Sequence, residues 1–206
     1  LIAFQYAANI WGATLESEVE IKVLASFEPL NCTASSAVLG SAGTMTIWSQ
    51  DEAPGLPLAD TWYCAALANK YMGTDLYTEA DDPDYHADIR ARFNSNLGGA
   101  NCLTGTFWYL GLDGNHGTDI DLVTVLLHEF AHGLGFQQFA DPDTGEQIFD
   151  LTDVYGRNLL DTTTGKTWNQ MTDAERKASA VNYGHVVWKG KEVTGAAPCA
   201  LDYGTP

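Results

Sequence analysis

Basic residues are scarce in this chain: 10 Lys and Arg stand against 27 Asp and Glu among 206 residues, a formal net charge of −17. Nucleic acid and anionic membrane surfaces both call for clustered cationic side chains, so neither is an expected partner. Long apolar runs are missing too. The best stretch, Leu122 to Leu127, is interrupted by Thr124 and followed at once by His128 and Glu129, too short for a bilayer-spanning segment. The four cysteines, Cys32, Cys64, Cys102 and Cys199, include no Cys-x-x-Cys pair, which argues against a cysteine-based zinc site or a redox motif. An even, dispersed set reads instead as two disulfides made in an oxidising compartment, against the alternative of four buried thiols. The expected pairs are Cys32–Cys64 and Cys102–Cys199, the first in the amino-terminal half and the second beyond it. No charged n-region or cleavage pattern marks Leu1-Ile2-Ala3-Phe4, so any signal peptide is expected to have been removed. The expected location is therefore extracellular or periplasmic.

What the chain does hold is core material, with 45% hydrophobic and only 18% charged residues, which excludes disorder. Its length fits one domain or two small ones. Leu1, Phe4, Ala8, Trp11 and Leu15 recur at steps of three and four, the apolar face of a helix. From Val19 to Phe27 the period changes to two, a half-buried strand ended by Glu28-Pro29. Thr44 to Trp48 reads as a second strand, Thr61 to Lys70 as a short helix, and Asp81-Asp82-Pro83-Asp84 as a loop. Ile89, Ala91 and Phe93 alternate with Arg90 and Arg92, an edge strand, and Phe107 to Leu110 reads as a buried one. Asp119 is the expected N-cap of an apolar helix that Gly133 and Gly135 end. Thr172 and Glu175 form a capping box for a helix through Ala180, and Val186-Val187-Trp188 is a last strand. The class is α+β: a mixed twisted sheet with a buried helix that carries polar groups.

That helix carries the chemistry. His128-Glu129-Phe130-Ala131-His132 fits His-Glu-x-x-His. Positions i and i+4 share a helix face, so two imidazoles can converge on one metal ion. Glu129, one step round, is placed to accept a proton from water and carry it to a leaving amine. The pattern arises by accident in about one chain of this composition in two hundred, and it uses two of only five histidines. The competing explanation is a capped helix end with satisfied core histidines.

With Gly133-Leu134-Gly135-Phe136 the motif extends to His-Glu-x-x-His-x-x-Gly-Phe, and the sequence resembles the metzincin branch of the zincin metallopeptidases. The run Ile120 to Phe136, Asp153-Val154-Tyr155 with Arg157-Asn158-Leu159, and Gly165-Lys166-Thr167-Trp168 leading to Met171-Thr172 resemble secreted bacterial metallopeptidase-like proteins. Many of those also carry a protease-associated domain. The resemblance covers Leu1 to about Pro198. It implies a zincin-like metallopeptidase domain over residues 1–200, with 201–206 as a tail or the start of a linker to a further domain. It also implies a Gly135 turn that returns a third ligand to zinc, but the position where metzincins place that histidine is Gln138, and an amide oxygen is a poor zinc ligand. Asp153, 21 residues beyond His132, stands first among the replacements, since other zincins take a downstream carboxylate. Met171 would then correspond to the metzincin Met-turn. His185 is second, by similarity to leishmanolysin-like zincins with a long insertion, and Asp150 and Asp141 follow. The plainer readings are a turn carboxylate for Asp153 and a surface residue entering a strand for His185. Glu79, His86 and His116 are placed outside the site. Tyr155 or Tyr183 could donate to an oxyanion, as a tyrosine does in several zincins, against a core role for each.

Two acidic, glycine-containing loops, Asp113 to Asp121 and Asp141 to Glu146, offer oxygen ligands that suit calcium, though neither completes an EF-hand loop. Turn chemistry explains both equally well. The expectation is therefore a secreted, monomeric zinc endopeptidase acting on protein or peptide, with zinc on His128, His132 and Asp153 and with Glu129 as general base. An extended substrate is expected to add to the strand at Ile89 to Phe93. Two other readings compete: a catalytically inactive metal-binding or recognition domain on the same scaffold, and a zinc amidase for a non-protein substrate such as cell-wall material.

Overall fold

The helical spacing at the start of the chain is realised in the helix Ile2–Thr14, which buries Ala3 and Ala7. Residues 1–77 and 86–200 are described by the computed structural model. The expected loop at 81–84, Glu79 and the expected tail at 201–206 lie outside the described residues. The chain divides into two compact units, residues 1–48 with 64–136 and residues 49–63 with 137 onward. The class is α+β. Among the described residues no helix is long and apolar enough to cross a membrane.

The first unit is built on a three-stranded mixed sheet. Its central strand, Ile89–Asn94, runs parallel to Val23–Glu28 and antiparallel to Gly40–Thr44. Ile89, Ala91 and Phe93 are all buried while Arg90 is exposed, so the alternation is real. The expected edge position is not. A period of two reports which face a side chain takes, and it is the same whether or not both flanks of the strand are paired. Val23–Glu28 begins later than the alternation does, and Lys22 just ahead of it is bonded to the start of the central strand. The Lys22 N–H donates to the Asp88 carboxylate at 2.8 Å, and its carbonyl accepts from the amides of Asp88 and Ile89. The expected strand at 44–48 is two strands, Gly40–Thr44 and Ile47–Trp48. Trp108–Tyr109 pairs with Ile120–Asp121, but the expected buried strand there is flanked by exposed Phe107 and Leu110. Nor is Thr61 to Lys70 one helix. Thr61–Cys64 is a strand and the helix Ala65–Met72 follows, because Thr, Trp and Tyr fit a pleated surface while the alanine-rich stretch favours a helix.

The helix Leu122–Gly133 closes this core. Leu122, Val123, Leu126 and Phe130 pack with Ala3, Ala7, Ala91 and Phe93, and the Trp11 indole donates to the Leu127 carbonyl at 3.2 Å. Its N-cap is Asp121, whose carboxylate accepts from the Val123 amide and the Thr124 hydroxyl. The expected cap, Asp119, instead accepts from the Phe107 amide. The expected disulfides are likewise replaced by one that joins Cys32 to Cys102, with Cα atoms 5.0 Å apart across a separation of 70 residues. Closing a loop of that size constrains the unfolded chain by about 4 kcal/mol. Cys64 is buried at the N-cap of Ala65–Met72, and Cys199 is exposed. The hairpin strand Cys32–Thr33 and the loop after the central strand are neighbours in space, the Leu103 amide donating to the Thr33 carbonyl at 2.9 Å.

In the second unit Thr152–Asp153 pairs in parallel with Thr61 and Trp62. A separate three-stranded sheet places Leu159–Asp161 between Lys166–Thr167 and Val186–Trp188. The Thr172–Glu175 capping box starts the helix Asp173–Ala180 as expected. A further helix, Lys191–Ala200, carries Pro198 and has no clear periodic signature in the sequence. Asp161 holds a turn together. Its carboxylate is buried and accepts from the Asn182 amide and from the backbone of Thr163 and Thr164.

The Asn182 side chain, together with further side-chain and backbone donors, holds the Asp161 carboxyl down at about 2, from an ordinary value of 3.8. A lowered native value stabilises the fold fully above about pH 4, and the contribution is lost as pH falls through 2. Asp161→Asn should lower stability at neutral pH by about 1–3 kcal/mol. It should also flatten the loss of stability between pH 4 and pH 2. Urea titrations across that range measure both.

Candidate metal centre

The inward face of Leu122–Gly133 fixes what its outward face presents. With Leu126 and Phe130 in the core, His128 is exposed, His132 is half-buried and Glu129 is buried at the flank. The two Nε2 atoms stand 3.0 Å apart, and the rings meet edge to face with centroids 4.7 Å apart. His132 Nδ1 lies 2.8 Å from the Phe136 carbonyl oxygen. A carbonyl only accepts, so Nδ1 carries the hydrogen and the Nε2 lone pair faces His128. Two imidazoles bound to one tetrahedral zinc at 2.0–2.1 Å hold their nitrogens about 3.3 Å apart. The observed pair is within a few tenths of an ångström of that separation. The donor set fits zinc as far as it goes.

The Phe136 carbonyl is delivered by a turn. Gly135 adopts φ +111°, the Gly135 amide returns to the His132 carbonyl, and the Phe136 amide returns to that of Ala131. A Cβ on Gly135 would also lie 3.0 Å from the Cys64 sulfur. Glycine is required here on both counts. Glu129 meets a second glycine. A Cβ added at Gly40, on the edge strand Gly40–Thr44, would lie 2.9 Å from Glu129 Cγ and 3.1 Å from Oε1. The edge strand therefore runs against the general-base candidate, and only a residue without a side chain leaves it room.

The remaining expected residues belong to the second unit. Asp153 is buried, its Oδ2 accepting from the Phe139 amide at 2.9 Å and its Oδ1 from Gly156 at 2.7 Å. Burial pushes its carboxyl up, and the backbone donors pull against that. Gln138 buries Oε1 with no hydrogen-bond partner among the described residues. Met171 packs with Trp168 and Ala140. His185 is exposed, and its carbonyl accepts from the Thr162 amide as the strand Val186–Trp188 begins. Asp150 is exposed at φ +60°. Tyr155 is half-buried with its ring 4.9 Å from that of Trp188. Tyr183 is 99% exposed, which corrects its core role.

The two loops suited to calcium spend their carboxylates locally. Asp113 accepts from the Tyr109 hydroxyl and the Asn115 amide, which holds its carboxyl down at about 2. Asp141 accepts from the amides of Asp143 and Thr144. His116 is exposed and its Nδ1 bonds the Asp119 carbonyl, while His86 is half-buried beside Tyr77. Among the described residues no group of three or more His, Cys, Asp and Glu side chains is arranged to hold a metal.

Sequence reasoning missed two contributors to the site, Gly40 and the Phe136 carbonyl. Glycine inside a strand signals close approach of another group, so Gly40 had a readable sign in Gly40-Ser41-Ala42-Gly43. A backbone carbonyl has none. Gly40→Val should force Glu129 off its seat and cost about 1–3 kcal/mol through overpacking. Whatever zinc the imidazole pair binds, the variant should bind with an affinity within a few-fold, because the substitution reaches neither ring. Thermal melts and zinc titrations of the purified variant test both.

No protein-family model, no curated protein and no solved structure matches this chain.

Proposed function

We propose that this chain is a zinc-dependent endopeptidase of zincin-like architecture, acting on protein or peptide substrates outside the cytoplasm. The observation that carries this reading is the pair of convergent Nε2 atoms 3.0 Å apart on His128 and His132, on the same helix as buried Glu129. His128 and His132 would hold the metal through Nε2, with the Phe136 carbonyl keeping His132 in the right tautomer. Zinc, when bound, supplies the Lewis acidity that lets water lose a proton near neutral pH. Glu129 accepts that proton at a carboxylate oxygen and later gives it to the departing amine. Asp153 is the proposed third ligand and His185 its rival.

The strand Ile89–Asn94 is flanked on both sides, so it does not receive substrate as expected. Gly40–Thr44 is an edge of that sheet and runs past Glu129. An extended peptide would add there, through backbone hydrogen bonds.

A second reading has one feature in its favour: Gln138 stands where the resemblance calls for a third histidine. In that reading the chain is a metal-binding or recognition domain without turnover.

Glu129→Gln should keep stoichiometric zinc and lose at least about a hundredfold in casein or peptide-library cleavage. Chelation should abolish cleavage by the wild type, and added zinc should restore it. Zinc without cleavage in the wild type would support the recognition domain, and cleavage by Glu129→Gln at the wild-type rate would sink the mechanism. Including non-peptide amides among the substrates tests the amidase alternative.

Asp153→Ala and His185→Ala separate the third-ligand assignments. Metal analysis should show zinc lost from Asp153→Ala and retained by His185→Ala. A destabilised Asp153→Ala that still binds zinc would make Asp153 a turn carboxylate only.

A further inference from the structure

We propose that Phe149 and Asp150, in the second unit, form the recognition point for a lysine or arginine side chain of a bound peptide. The proposal deepens the reading of this chain as one that binds peptides, and rests on it. Phe149 is 82% exposed and adopts φ +48°, and Asp150 follows at φ +60°. The left-handed region crowds a Cβ against its own carbonyl, and a bulky residue there is an outlier. Strain of this kind gathers at active sites and ligand clamps. Burial does not repay it here. The Phe149 ring meets that of Trp62 with centroids 6.1 Å apart, and most of it faces water.

The turn that presents the ring is held in place. The Trp62 indole donates to the Ile148 carbonyl at 2.7 Å, and the amides of Asp150 and Leu151 return to the carbonyls of Gln147 and Ile148. Trp62 also pairs with Asp153 across neighbouring strands. The exposed ring is therefore anchored to the strand pair that carries the proposed third zinc ligand.

Charge decides what the ring receives. From residue 137 to residue 156 the chain carries Asp141, Asp143, Glu146, Asp150 and Asp153 and no Lys, Arg or His. The first cation after them, Arg157, is committed to Thr61 Oγ1 and to the carbonyls of Ala59 and Asp60. Asp150 is exposed, and its carboxylate has no hydrogen-bond or ion-pair partner among the described residues. A cationic side chain is drawn to the negative face of an aromatic ring, and a carboxylate on the next residue adds to that attraction. The apolar stems of Lys and Arg pack on the ring as well. An aliphatic guest gains only the packing, and an acidic one is repelled.

The test is fluorescence anisotropy on the full chain carrying Glu129→Gln, with zinc added, so that the ligand is not consumed. The probes are short labelled Gly-Ser peptides with one central Lys, Arg, Leu or Glu. The Lys and Arg peptides should bind about threefold or more tighter than the Leu peptide, and the Glu peptide weakest. Phe149→Ala and Asp150→Asn should each lower that preference by about two- to fivefold, and Phe149→Tyr should retain it. Asp143→Asn, which removes an equal charge from the same segment, should leave it unchanged. The proposal falls if no peptide binds, if the Leu peptide matches the Lys and Arg peptides, or if Asp143→Asn costs as much as Asp150→Asn. Peptide-library cleavage by the wild type is scored separately. Cleavage with binding indifferent to the basic residue overturns this proposal and leaves the peptidase reading standing. A preference for basic peptides without cleavage does the reverse.

Discussion

Gly133 has no side chain, and the motif helix rests on the central strand through that absence. A Cβ there would lie 2.2 Å from Ile89 Cγ2, well inside van der Waals contact. The close approach sets the helix height above the sheet, and Leu122, Leu126 and Phe130 set its rotation by filling the core. Successive residues turn by about 100° in an α-helix, so a slip of one residue would carry His128 and His132 off the outward face. The Asp121 cap at one end and the Gly135 turn at the other fix where the helix starts and stops. The 3.0 Å separation of the imidazole nitrogens is thus inherited from packing on the far side of the helix.

The parts of this arrangement that were legible in the sequence are those that one element determines by itself. The opening helix, the Thr172–Glu175 box and the His-Glu-x-x-His face depend on spacing along a few turns, and periodicity reports such spacing directly. What escaped is set by neighbours distant in sequence. Ile89–Asn94 looks the same at an edge or at a centre, and only Val23–Glu28 and Gly40–Thr44 decide which. Cys32 found Cys102 because a hairpin and a loop meet in space. The two halves of the proposed site differ in the same way. His128, Glu129 and His132 are local to one helix, whereas the room for Glu129 comes from Gly40, a separation of 89 residues in the chain.

The acid excess also takes on a local meaning. Asp113, Asp121, Asp141, Asp153 and Asp161 each accept backbone amides in turns or at a helix start. Aspartate is suited to this because its short side chain reaches amides two or three residues ahead. A share of the negative charge is therefore structural: it shapes connections between sheets that, among the described residues, have three strands at most. The individual carboxylates fold loops.

The Cys32–Cys102 bond has one more consequence, for the fate of a cut chain. It encloses the edge strand Gly40–Thr44, the helix Ala65–Met72 and the central strand in a single covalent loop. A peptide bond broken anywhere between residues 32 and 102 leaves two pieces that remain one molecule. For a chain read as a peptidase, that stretch can be clipped by its own kind without shedding the strand that seats Glu129. Damage there would stay hidden until a reductant separated the pieces.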